Sequence, residues 1–258
     1  MLKSSLLPIL FFIGVTVFLS GAWTGFARPA PEIADSDYSP QSITLDCDAL
    51  GSEVTATELL DKAIATLACA TWLKTTIKQA MIAPDSNCCA DGVLQLGPNH
   101  CARLELKVRT AGIVSNLLIV SDGGVSAEEQ TIGEGAAVLV CELLPEDGKE
   151  QHLAVKCCGG PRAVLRELRG SLHNLKLQTG ILNGDPVIQL HGDVAASARP
   201  MRNCSVFLDA KTLWPHRVEW RSQSQHVMRI EFCDPKVNQQ LSLAECERIF
   251  SYQPTGAK

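Results

Sequence analysis

Cys88, Cys89, His100 and Cys101 supply four soft ligands in one short stretch, the number and kind that a structural zinc ion takes. Their spacing works against that chemistry. Gly97-Pro98-Asn99 reads as a turn, which pairs Cys101 near Leu94, about six residues from Cys88 and roughly 20 Å away at the rise of a strand. Neighbours in a strand also point to opposite faces, so Cys88 and Cys89 cannot both reach one ion. Cys157-Cys158, before Gly159-Gly160 in a loop, escapes only the second objection. No metal and no other cofactor is expected. The eleven cysteines also suit disulfides in an exported chain. Yet the count is odd, and Cys69, Cys101, Cys141, Cys233 and Cys246 sit among apolar or small residues, where cysteine packs as a small hydrophobe. At most about two bridges are expected, with their pairing open.

Catalytic patterns are scarce. There is no G-x-S-x-G elbow, no H-E-x-x-H and no phosphate-binding glycine loop. Ser171-Leu172-His173 falls in an expected helix, where positions i and i+2 diverge. His100, His152, His173, His191, His216 and His226 are scattered and read as surface or strand-edge residues. Asp46 and Asp48, flanking Cys47, read as a solvated lead-in. The chain is expected not to be an enzyme, and action on envelope glycans or lipids finds no supporting constellation.

The elements that must position any site are mostly strands. Thr55-Ala-Thr-Glu58 is a capping box, and Leu60, Ile64 and Leu67 behind it predict an amphipathic helix over 55–70. LKTTIKQAM then switches to period two, with Leu73, Ile77 and Met81 on one side. Further strands follow in CCADGVLQL, ARLELKV, VSNLLIV and AAVLVCELL, the last ending near Asp147-Gly148. Pro161 opens a second helix over 161–173, sharing Val164, Leu165, Leu168 and Leu172 on a face. KLQTGIL and PVIQLHG flank Asn183-Gly184 as a hairpin. Three strands lie between Phe207 and Pro235, and LSLAECERIF closes the pattern as a short helix. The fold class is α+β: a curved antiparallel sheet of roughly ten strands, with two or three helices capping its concave side.

The N-terminus places this fold outside the cytoplasm. Lys3 precedes an uncharged run from Leu6 to Trp23, and small residues follow at Ser20-Gly21-Ala22 and Gly25-Phe26-Ala27, so residues 1–27 read as a signal peptide. The alternative is a retained anchor giving membrane contact through residues 6–23. Residues 28–45 form a proline-rich polar linker, 46–254 a single domain and 255–258 a tail. Export is expected to the periplasm. Without residues 1–27 the chain carries 22 basic and 28 acidic groups, a net charge of −6, with no basic cluster. Nucleic acid is therefore no partner.

The apolar strand positions exceed what so few helices can cover. Leu73, Ile77, Met81, Leu104, Leu106, Val108, Trp220, Met228, Ile230 and Phe232 are the expected wall of an apolar hollow. Trp214 precedes Pro215 and is held extended. The two tryptophans are expected to divide between core packing and cavity wall.

LLIVSDG (Leu117–Gly123) and LDAKTLWPHRVEW (Leu208–Trp220), with the helix, strand and meander order around them, resemble the periplasmic lipoprotein-carrier superfamily in its outlying secreted members. That group comprises LolA- and LolB-like proteins and the regulator RseB. The likeness covers about residues 50–252. It implies an unclosed β-barrel with a helical lid around a lipophilic cavity, and a lipid or a lipoprotein acyl chain as partner. RseB implies the alternative, an envelope sensor or scaffold that binds another protein and has a filled core. The segment Gly124–Glu129 stands where such proteins carry an aromatic, which implies a weaker local sheet. No residue of this chain matches the arginine that latches the carrier's lid.

Overall fold

A computed structural model describes residues 54–83, 86–110, 113–132, 138–143, 160–195, 201–223 and 226–252. The proposed signal segment, the linker, Cys47 with Asp46 and Asp48, Asp147-Gly148, Cys157-Cys158 and the tail lie outside these residues. Among the described residues no helix is long and apolar enough to cross a membrane.

The chain runs α1 (Ala56–Ala68), β1 (Leu73–Ala83), β2 (Ser86–Leu96), β3 (Cys101–Thr110), β4 (Ile113–Asp122), β5 (Val125–Ile132), β6 (Val138–Leu143), α2 (Gly160–Ser171), β7 (Leu172–Leu182), β8 (Asp185–Val194), β9 (Met201–Asp209), β10 (Pro215–Ser222), β11 (Val227–Val237) and α3 (Leu243–Phe250). All eleven strands join one antiparallel sheet in the order β6-β5-β4-β3-β2-β1-β11-β10-β9-β8-β7. The ends β6 and β7 are not neighbours, so the barrel stays open. The expected α+β class, curved sheet and open barrel are what the structure has.

Register fixes which side chains share a face. Ile77 lies opposite Phe232 and Gly92, and Gly92 opposite Leu106. Met81 faces Met228, which faces Trp220. Leu94, Leu104 and Ile119 make another such row. One face of the sheet is thus apolar from β4 round to β7. A Cβ at Gly92 would run into the backbone oxygen of Glu105, so only glycine allows this close approach of β2 to β3.

Helices α1 and α2 cover the apolar face. Thr55 caps α1, its hydroxyl accepting from the Glu58 N–H while the Glu58 carboxylate accepts from the Thr55 N–H. Leu59, Leu60, Ala63 and Leu67 of α1 and Leu165 and Leu168 of α2 are buried against the sheet and each other. Asp61 meets Arg169 at 2.8 Å, and Cys69 lies within electrostatic reach of Arg162, so the two helices run antiparallel.

Three expectations change. The second helix ends at Ser171, and Leu172 and His173 begin β7, so the Ser171–His173 pair straddles a helix–strand junction. Leu172 remains buried. Gly124–Glu129 does not weaken the sheet: Val125–Ile132 is a full strand paired with β4 and β6. Ser126 and Glu129 in it are buried, and the Glu129 carboxylate accepts a 2.7 Å bond from the Tyr252 hydroxyl. Finally, α3 takes the opposite side from α1 and α2. Arg103, which donates to the Ile249 carbonyl, shares a face with Val120 and Ala127, not with Leu104 and Ile119.

Candidate functional site

The concave face gathers the predicted wall. Leu73 and Ile77 on β1, Leu104 and Leu106 on β3, Trp220 on β10, and Ile230 and Phe232 on β11 are buried in one continuous cluster with α1 and α2. Val108 and Met228 border that cluster half-buried, and Met81 is buried between Cys88 and Met228 in register. All ten therefore lie on or beside one surface. At its centre Leu60, Leu94, Leu165, Leu190, Val206, Leu208 and Val218 have no solvent exposure, and of these Leu94, Leu190, Val206 and Leu208 were not expected there. Alternation in PVIQLHG and in the strand before Asp209 was the available signal for Leu190, Val206 and Leu208.

The surface has a tight end and a looser one. Towards the start of β1, Leu73, Leu94, Leu104, Leu208 and Phe232 are closely enclosed. The N-terminus of α2 presses there too, since a Cβ on Gly160 would meet Leu94 and Leu96 within 3.0 Å. Towards the far end of β1, Val108 and Met228 are only partly covered, as is Leu117 in the row of Ile77. Ile113, Val114 and Ile132, at the same end by register, are exposed. Gln79 stands in this wall between Ile77 and Met81, opposite Ile230 and Ala90. Its amide nitrogen is buried and has no hydrogen-bond acceptor.

The LDAKTLWP motif has a structural role in this frame. The Asp209 carboxylate accepts from the backbone N–H groups of Lys211 and Thr212 and from the Thr212 hydroxyl, closing a turn that holds Leu213 at a φ of 58°. Burial alone would raise the Asp209 pKa, but these donors win and hold it below the usual carboxylate range. Trp214 emerges buried, and its indole N–H donates to the Phe232 carbonyl at 3.0 Å. Trp214 is thus a fastener between the turn and β11.

The convex face is ionic. Arg217 pairs with Glu231 at 2.7 Å and lies over the Phe207 ring. Arg221 and Arg229 flank the buried carboxylate of Glu219. His191 shares a 2.9 Å contact with the Ser205 hydroxyl, which also accepts from Gln189. Ser205 is tied to β8 in this way, and among the described residues no carboxylate bonds to His191 as a triad would require.

Among the described residues no group of three His, Cys, Asp or Glu converges as a metal site would. Cys88 lies opposite Thr110, whereas Cys101 precedes Ala102, the partner of Leu96. The two cysteines therefore sit at opposite ends of the β2–β3 pair, farther apart than a pairing of Cys101 near Leu94 implies. Cys204 is buried, and burial pushes its thiol pKa far up. Cys69 is exposed rather than packed, which corrects its reading as a small hydrophobe.

No protein-family model matches the sequence, and no curated protein does. Solved structures do. LprF from Mycobacterium bovis is similar over 72% of this chain and 95% of its own, at 12% identity and a TM-score of 0.45. A LolA superfamily protein from Nitrosomonas europaea is similar over 77% of this chain and 98% of its own, at 12% identity and a TM-score of 0.33. In the Pseudomonas aeruginosa MucA/MucB complex the likeness covers 74% of this chain and 60% of that one, at 12% identity and a TM-score of 0.36. The LolA superfamily is the group that the sequence motifs resemble. At this identity and these TM-scores the functional reading rests on the chain's own residues.

Proposed function

We propose that the chain is an exported, non-catalytic binding protein that holds a lipid, or the acyl chain of a lipidated peptide, between the concave face of the sheet and helices α1 and α2. One imbalance carries the reading. Apolar positions run across nine strands from β4 to β7, an arc of roughly 38 Å at about 4.8 Å per strand. Two helices, each about 10 Å across, cover roughly half of that width. Val108, Leu117 and Met228 lie where the cover thins. Each methylene buried there contributes about 0.8 kcal/mol, so ten carbons offset much of the cost of ordering the ligand.

The proposed location is the periplasm, reached through residues 1–27 or held at the membrane by residues 6–23.

Native mass spectrometry of the full chain, after delipidation and incubation with a fatty-acyl probe, tests the reading. One bound probe per chain is expected, with binding weakened at least tenfold in Met228→Glu. No uptake by the folded chain refutes it. A second reading has its own observation: Leu94, Leu104, Leu190 and Val218 are enclosed completely by the protein's own groups. It makes the chain a scaffold for an envelope protein, and it predicts that the probe never binds.

A further inference from the structure

Among the described residues four buried side-chain nitrogens have no acceptor: those of Trp72, Gln79, Arg162 and His216. Trp72 precedes β1, Arg162 lies in the first turn of α2, and His216 has Asp209 at 3.6 Å. Gln79 differs in position. It stands in mid-strand on the face that carries Ile77 and Met81, with Ile230 and Ala90 opposite. The next residues in that row are Val218 beyond Ile230 and Val108 beyond Ala90. An amide donor set among hydrocarbon without a partner is costly, and native folds keep few such groups. A leucine would fill this place without leaving a donor unpaired. The polar group therefore calls for a partner that the described residues do not provide.

We infer that the Gln79 amide is a polar subsite within the hydrocarbon wall, donating a hydrogen bond to the carbonyl oxygen of a fatty-acyl ester. This rests on the acyl-binding reading and deepens it. The ester carbonyl lies beside the hydrocarbon tail, so a tail against Ile77, Met81 and Ile230 brings an acceptor within the reach of one side chain. The wall then measures where the chain ends as well as how greasy it is. An ether-linked lipid of equal length fits the same wall but offers no carbonyl, and it leaves the amide unpaired. Sites built around a buried donor discriminate strongly against ligands that lack the matching acceptor.

The test compares a monoacylglycerol with the 1-O-alkylglycerol of equal chain length, each titrated into the full chain and into Gln79→Leu. Wild type is expected to bind the ester about tenfold more tightly than the ether, the ratio that one satisfied buried donor supplies. Gln79→Leu should bind both alike, near the ether affinity of wild type, and should withstand denaturant at least as well. Gln79→Glu places a carboxylate acceptor there and should also lose the ester preference. Equal binding of ester and ether by wild type, or a preference surviving in Gln79→Leu, overturns the subsite and leaves acyl binding standing. Binding of neither lipid by the folded chain overturns both.

Discussion

Trp214 joins the Asp209 turn to β11 through one hydrogen bond to the Phe232 carbonyl. Trp214→Phe keeps most of the ring but leaves that buried carbonyl without its donor, so a loss of about 1–3 kcal/mol is expected in denaturant unfolding. Asp209 adds a pH dependence. Its folded pKa is held below the unfolded value, so the native state binds fewer protons and the stabilisation is present above the unfolded value, about pH 4. It is lost as pH falls through the folded pKa. Asp209→Asn should flatten that acid limb in a series of unfolding curves. The thiols give a third contrast: Cys69 should react rapidly with a maleimide in the native protein, while Cys204 should react only on unfolding. Alternation in the sequence was enough to place these ten residues on or beside one face, because burying one face of a strand leaves a period of two. Sequence could not mark Gln79 as unpaired. That follows from the absence of an acceptor on β2 and β11, a property of register rather than of the residue.

At the level of elements, Gly92 lets the β2 and β3 backbones approach closely. Gly92→Ala cannot be accommodated without moving the β3 backbone at Glu105. A loss of more than about 2 kcal/mol is expected, far above the ordinary effect of alanine for glycine in a strand. A change as small as that of a surface residue would show that the two strands part there at no cost. Thr55→Ala removes the α1 cap and should cost about 1 kcal/mol by the same assay. Most strands and the Thr55–Glu58 capping box were legible because each has a local cause in turn residues, period or cap chemistry. The end of α2 was not. Leu172 continues the apolar helical spacing of Leu165 and Leu168, but its partner is Val194 on β8, and that pairing is non-local. The side taken by α3 was hidden for the same reason: Phe250 packs at Gly97, and Arg103 reaches the last turn from the convex face.

For the whole molecule, the central matter is what the concave face encloses. The chain places an ionic lattice of Arg217, Arg221, Arg229, Glu219 and Glu231 on one side of the sheet, beside Val120, Ala127 and Phe207, and the larger apolar surface on the other. The proposed ligand, mostly hydrocarbon, takes the larger surface. Sequence revealed that asymmetry but not how thickly two helices would cover it, since their placement depends on contacts between α1 and α2 such as Asp61 with Arg169. Photo-crosslinking with a diazirine-bearing fatty acyl probe, followed by peptide mapping, tests the claim most directly. The account predicts adducts on Met81, Val108, Trp220 or Met228, competed away by unlabelled acyl lipid. Adducts confined to the convex face around Phe207 or Phe250, or none at saturating probe, would contradict it.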